Sequence, residues 1–356
     1  MRLFGKGIGG LMEDLRYCAS SYLMFRYIFE GEKRFKDDIP INIIDLAFDR
    51  KPVKTADDLI EALNIVIRDS VSNGKTALAL SGGIDSAILA RLMPKGTKAY
   101  SFRCVVPGKN VIDESKQAAA WAESNELHHE IIDITWEDIE SVVDKLMLHK
   151  GAPIHSIETQ IYIAACKAKE DGVDKFIFGE NADIIYGGMN GLLQKDWHFG
   201  EFVDRYMYVH PYYALKDPEL ILEPFEEFEK DGYIDGHDFI NIYFRQEALG
   251  TYMNACQTAG IEFVGPYSLT YLNSPIDYNR IRAGDTKYII REAFKKLYPG
   301  IEIPAKIPMP RPMNEWFENW EGPQREEFIP HCTDNMSGDQ KWMIWSLERF
   351  LNLIGV

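Results

Sequence analysis

Several features are scarce in this chain. Its five cysteines, Cys18, Cys104, Cys166, Cys256 and Cys332, are scattered and form no Cys-x-x-Cys pair. That spacing argues against a thiolate metal site, a redox pair and a disulfide framework. Reduced thiols in a cytoplasmic protein are expected instead. No run of about 18 apolar residues occurs, and the first residues lack the apolar core of a secretory signal. Basic residues are in the minority: 39 Lys and Arg face 55 Asp and Glu, a formal net charge of −16. So acidic a chain is repelled by nucleic acid and by anionic membrane, and neither is expected as a partner. No internal repeat or low-complexity tract is visible. The 356 residues suffice for a sizeable core.

Against these absences stands one stretch, Leu78 to Ser86, which organises the rest. The apolar run from Thr76 to Leu80 reads as a buried strand. Ser81-Gly82-Gly83 follows, then Asp85-Ser86, then an apolar-periodic helix through Ala87, Ile88, Leu89 and Leu92. Glycines at a strand-to-helix turn let the backbone approach a ligand. The N–H groups of the first helical turn lack internal partners and carry the positive end of the helix dipole. Together they form an anion site, most often for phosphate. Asp85 would repel a bare phosphate, which points to a bridging Mg²⁺. The Gly-Lys-Ser/Thr ending of a Walker loop is missing.

Strand and helix signals alternate around this stretch. Thr55 with Asp58 three residues on marks a helix start, and Thr135 with Asp138 marks another. Lys98–Val106, Leu127–Ile134 and Lys175–Phe178 read as further strands. Asp113–Glu123, Thr135–Leu148, Ser156–Lys169 and Gln340–Leu353 read as helices. The pattern predicts an α/β fold with a doubly wound parallel sheet, whose ligands bind at the carboxyl ends of strands. We divide the chain into an N-terminal arm (1–50), a nucleotide-binding α/β domain (51–190) and a mostly helical substrate-pocket and lid region (191–356).

A second motif begins at such a strand end: Gly179-Glu180-Asn181-Ala182-Asp183, with Gly187-Gly188 behind it. Asp183 can complete a Mg²⁺ site with Asp85, and Glu180 can act as a general base or orient an amine. The plain alternative is that both acids cap a helix. The aromatics between 190 and 250 fit a core better than a ligand platform. His198 and His210 have no spacing that demands a site. The acidic run from Glu223 to Asp231 reads as a solvated helix face. Residues 260–267 read as a break carrying one acid, Glu262. Lys287 and Arg291 share a helix face, and Lys306 stands in a proline-stiffened loop.

The glycine motifs, in this order and followed by Lys287-x-x-Ile-Arg291 and Lys306, resemble the synthetase domain of the asparagine synthetase family. That family is part of the PP-loop ATP pyrophosphatase superfamily and is related to the β-lactam synthetases. Asp113-Glu114, His129-Glu130 and the Ser20 to Lys36 stretch agree. The resemblance spans roughly residues 15–320. It implies that Ser81, Gly82, Gly83, Asp85, Ser86 and Lys287 hold the phosphates of ATP. Backbone near Leu80, Phe102 and Gly179 would hold adenosine, and Asp85 and Asp183 would bind Mg²⁺. Glu180, Lys306 and Glu262 would be the catalytic residues. A carboxylate would attack ATP, pyrophosphate would leave, and an amine would capture the acyl-adenylate.

Three departures bear on substrate. The family's N-terminal glutaminase cysteine has no counterpart, because the sequence opens Met1-Arg2-Leu3. Val264 stands where the family has an arginine, which disfavours aspartate. Asn181 replaces a glycine, and asparagine tolerates a positive φ. The expected partners are a small-molecule carboxylate and ammonia or an amine, supplied by a separate glutaminase or by the substrate itself. A homo-oligomer is left open. An intramolecular lactam-forming synthetase and a silent nucleotide-binding relative are the alternatives. Transfer RNA thiolation is disfavoured by acidity and unpaired cysteines.

Overall fold

The computed structural model describes residues 12–42, 46, 48–305 and 311–356. Lys306 and its loop lie outside the described residues. The central sheet has five strands: β1 (Thr76–Ala79), β2 (Lys98–Cys104), β3 (His128–Ile134), β4 (Lys175–Ile177) and β5 (Glu262–Val264). All neighbours pair in parallel, in the order β5-β4-β1-β2-β3. The chain therefore runs from β1 outward to β3 and then returns to the other side of β1. The switch point lies between β1 and β4, and a crevice opens there at the carboxyl ends.

Both faces of the sheet are covered, and strand alternation shows how. Ala77, Tyr100 and Phe176 face one core with Ile161 and Leu146. Leu78, Ala99 and Ile177 face the other with Leu63, Ile88 and Phe294. Neighbouring residues thus bury on opposite faces, as period two requires. The covering helices are α1 (Leu15–Phe25), α2 (Ala56–Ser70), α3 (Ile84–Leu92), α4 (Ser115–Ser124), α5 (Trp136–Lys150), α6 (Ser156–Glu170), α7 (Ala182–Ile185), α8 (Arg245–Ala259), α9 (Tyr288–Leu297) and α10 (Gly338–Ile354). Both expected capping boxes are present, Thr55 with Asp58 on α2 and Thr135 with Asp138 on α5. Among the described residues no helix is long and apolar enough to cross a membrane.

The segment read as a break differs. It holds β5, a three-residue edge strand paired with β4. Gly260 and Gly265 bracket so short a run that turn signals outweigh strand signals. The acidic run also differs: only Glu223–Glu226 is helical, and Glu229–Lys230 pairs in a small hairpin. The aromatics are core where they are buried, with Tyr206 packed against Phe25, Phe225 and Phe239. Tyr212 and Tyr213 are exposed.

Three donors converge at 2.9–3.0 Å on the Ile154 carbonyl: Tyr22 Oη from α1, and Trp342 Nε1 and Ser346 Oγ from α10. They tie the segment before α6 to both helices. Gly151 ends α5 with φ +73°, and a Cβ there would lie 2.1 Å from the Pro40 carbonyl oxygen. Gly151→Ala is expected to cost about 2 kcal/mol or more, from positive φ plus the clash. Urea unfolding checks this. A loss below about 0.5 kcal/mol would mean that the 40–41 segment moves aside freely.

Candidate active site

In the Ser81–Ser86 loop the N–H groups of Ser81, Gly82 and Gly83 bond within the protein, to Ser86 Oγ, Glu114 and Ser81 Oγ. Ser86 Oγ accepts from the Ser81 N–H at 3.1 Å and lies 2.8 Å from Ser81 Oγ. These bonds close the loop on itself. Gly83 is the N-cap of α3 and offers no side-chain cap, so donors of the first turn face the crevice. Trp121 Nε1 donates to the Gly82 carbonyl at 3.0 Å, and Tyr267 Oη donates to the Asp85 carbonyl at 2.9 Å. A Cβ on Gly82 would lie 2.9 Å from Glu114 Cβ, so glycine is required by the close approach. Glu114 accepts from the Gly82 N–H, while burial raises its carboxyl pKa. Ser101 Oγ donates to the Leu80 carbonyl and meets His129 Nε2 at 2.7 Å.

The second motif leaves β4 directly beside this loop. Asn181 has φ +73°, the left-handed turn that asparagine tolerates, and its Nδ2 donates to Ser268 Oγ at 2.9 Å. It caps α7, which places Asp183 in the first turn. A Cβ on Gly188 would overlap Asp183 Oδ1 at 1.9 Å, so the carboxylate occupies space that only glycine leaves.

One cleft of about 560 Å³ gathers most of the expected residues. Leu80, Ser81, Gly82, Gly83, Asp85, Ser86, Phe102, Gly179, Glu180, Asp183 and Lys287 all line it. At its centre the Lys287 ammonium bonds Asp85 Oδ2 and lies 3.2 Å from Asp183 Oδ1. Burial works against this ammonium, but the two carboxylates outweigh it and hold its pKa above the usual lysine range. Two carboxylates converging on one cation, next to a phosphate-type loop, fit Mg²⁺, which takes one or two carboxylates plus phosphate oxygens. Among the described residues no group of three or more His, Cys, Asp or Glu side chains forms a metal cage.

Glu180 is recessed in the same cleft, and burial pushes its carboxyl pKa up to about 7. Tyr252 from α8 donates to it, and the Asp183 charge adds to the upward push. Glu262 is a correction. It begins β5 at the amino end of the sheet, opposite the cleft, where it pairs with Lys175 at 3.3 Å and is 58% exposed. An acid at the wrong end of a parallel strand cannot reach the crevice. His198 stacks on Tyr233, and neither His198 nor His210 lines the cleft. Tyr252, Gln160 and Thr286 line it without having been singled out in the sequence. Only the fold brings them in.

Residues 58–226 match the family model for asparagine synthase. Over that stretch the chain is asparagine synthase-like. The matched stretch holds both glycine motifs, Glu180 and Asp183, and supports an ATP-dependent synthetase. Lys287 and Tyr252 lie beyond it. No curated protein matches the chain. Solved structures with partial likeness include an NH3-dependent NAD synthetase from Campylobacter jejuni, 19% identical, covering 37% of this chain and 60% of its own, with a TM-score of 0.25. This chain thus spans three fifths of that synthetase. The U34-tRNA thiolase NcsA from Methanococcus maripaludis is 14% identical over 70% of this chain and 83% of its own, with a TM-score of 0.27. NMN synthetase from Francisella tularensis is 13% identical over 72% and 99%, with a TM-score of 0.28.

The raised Glu180 pKa has a measurable consequence in this asparagine synthase-like site. Between its usual 4.5 and about 7 the folded protein keeps a proton that the unfolded chain has released. Stability therefore falls as pH rises across that window, by up to about 3 kcal/mol. Glu180→Gln is expected to flatten the slope, so the variant gains on the wild type from pH 4.5 to 7. Parallel urea-unfolding curves for both proteins would contradict the assignment.

Proposed function

We propose that the chain is an ATP-dependent ligase that activates a small-molecule carboxylate and passes the acyl group to ammonia or an amine. The products are an amide, AMP and pyrophosphate. The observation that carries this reading is the position of Glu180. It faces the phosphate-type loop across one cleft, beside the Asp85–Lys287–Asp183 cluster.

Each residue has a role that its surroundings support. The N–H groups of the first turn of α3, from Ile84 to Ser86, bind phosphate oxygens. Lys287 supplies positive charge where pyrophosphate leaves. Asp85 and Asp183 would hold Mg²⁺, which when bound neutralises phosphate charge. Backbone at Leu80, Phe102 and Gly179 borders the space for adenosine. Glu180, poised near neutrality and oriented by Tyr252, accepts a proton from the incoming amine as its nitrogen bonds the acyl carbon. Lys306 is assigned to transition-state charge by resemblance alone.

Isotope exchange between pyrophosphate and ATP, across a panel of carboxylates, tests this. Exchange should depend on one class of acid and fall about 100-fold or more in Asp85→Ala. Glu180→Gln should keep exchange while amide formation drops by about 100-fold. Measurable ATP binding with no exchange for any acid, with or without ammonia, would sink the ligase reading.

A further inference from the structure

A second cavity, about 300 Å³, adjoins the cleft at Glu180 and Tyr252. Its walls are largely apolar with a few polar side chains set in them, Arg26 and Arg311 among these. It belongs to the site already described. A different feature lies behind that site, where residues 267–270 hold both glycine motifs. Tyr267 Oη donates to the Asp85 carbonyl at 2.9 Å. Ser268 Oγ accepts from Asn181 Nδ2 at 2.9 Å, and Thr270 Oγ1 lies 2.7 Å from Tyr186 Oη. This clamp thus grips the first loop once and α7 at both ends.

The main chain of the clamp faces two arginines. Arg50 Nε donates to the Thr270 carbonyl at 2.8 Å. Its neighbour Lys51 stands opposite Thr270 in a short parallel ladder, Lys51–Val53 beside Thr270–Leu272. Arg245, the first residue of α8, donates from Nη2 to the Ser268 carbonyl at 3.4 Å. The two guanidiniums therefore arrive at carbonyls two residues apart. Each lies against an aromatic ring, Arg50 at 5.7 Å from the centre of Tyr271 and Arg245 at 5.8 Å from that of Phe48.

What sets this pair apart is its lack of countercharge. Elsewhere arginines find carboxylates: Arg280 meets Asp285 at 2.6 Å, and Arg349 meets Asp144 at 2.5 Å. In a chain with 55 acids, neither Arg50 nor Arg245 has an ion pair among the described residues. Arg245 is only 8% exposed, and its Nε is buried without an acceptor. Burial and the Arg50 charge bring its pKa down to about 10, still cationic at neutral pH. Burial also lowers that of Arg50. Two like charges in one poorly solvated spot repel, and a buried donor without an acceptor is costly. An anion with several oxygens removes both penalties by accepting from both forks at once. Arg50 is half-buried, which leaves an approach from solvent.

We propose that Arg50 and Arg245 form a binding site for a small inorganic oxyanion of the phosphate type. Neither arginine lines the nucleotide cleft, so the site is separate from it. The bound anion neutralises the pair and fixes the guanidiniums that hold the Ser268 and Thr270 carbonyls. It thereby braces the clamp under both glycine motifs. The assignment stands whether or not the chain is a ligase.

Calorimetry with inorganic phosphate on the full chain tests it, with the cleft filled by Mg²⁺ and a non-hydrolysable ATP analogue. One phosphate should bind per chain. Arg50→Gln and Arg245→Gln should each weaken it by about ten-fold or more. Because Arg50 is half-buried, its variant decides the matter if Arg245→Gln does not fold. Phosphate should also raise the unfolding temperature of the wild type, and the rise should shrink in Arg50→Gln. No binding up to about 10 mM phosphate, or full affinity in the folded variants, would overturn the assignment. Binding that vanishes once the analogue is present would place the anion in the nucleotide cleft and overturn it equally.

Discussion

Everything at the site depends on the pairing of β1 with β4. Thr76, Ala77 and Leu78 lie opposite Lys175, Phe176 and Ile177, strand running with strand. Both strands then end together, and each turns into a helix carrying a glycine motif. Ala77 and Phe176 belong to one core, Leu78 and Ile177 to the other. A slip of one residue would push Phe176 into the space of Ile177 and expose every choice on both faces. The core thus fixes the register, and the register fixes how far Asp85 stands from Asp183. The geometry of the cleft is inherited from hydrophobic packing.

Charge sets the second constraint. A chain with net charge −16 would be a poor host for a polyphosphate unless local potential were reversed. Backbone N–H groups and Lys287 supply the positive potential of the cleft, and Asp85 and Asp183 offset the lysine until a metal or ligand joins them. That lysine sits at φ +54°, an uncommon backbone state for a side chain of its size. Its ion pairs to two carboxylates hold it there, which is how a strained residue persists at a functional site. Asp85 and Asp183 gain the same benefit, since two carboxylates so placed would otherwise repel.

Local rules made much of this readable. Buried parallel strands announce themselves as apolar runs, and two Thr-x-x-Asp boxes mark helix starts without help from tertiary contacts. The glycine motifs, with the family they resemble, are dense enough that the loop, Asp85, Asp183 and Glu180 could be named as one site, and all of them line one cleft. In the second motif Asn181 takes the N-cap position, and Asp183 sits in the helix's first turn and reaches Lys287. Glu262 misled because sequence gives an acid's position along a strand but not the end of the sheet it occupies. Its strand was hidden by flanking glycines. Tyr252, Arg26 and Arg311 carry no local signal. They come from α8, from the end of α1 and from a segment before α10, and long-range folding alone brings them to Glu180.

The partition between the two cavities consists largely of two side chains, Glu180 and Tyr252. So thin a wall cannot insulate. Charge arriving on one side is felt on the other. Triphosphate beside Glu180 would tighten its grip on a proton, and a cationic amine would loosen it. Ligands in both rooms would therefore alter one another's affinity, each by the same factor. Glu180, proposed above to do chemistry, would then act as a thermodynamic hinge, and order of arrival would acquire an energetic meaning that neither cavity has by itself.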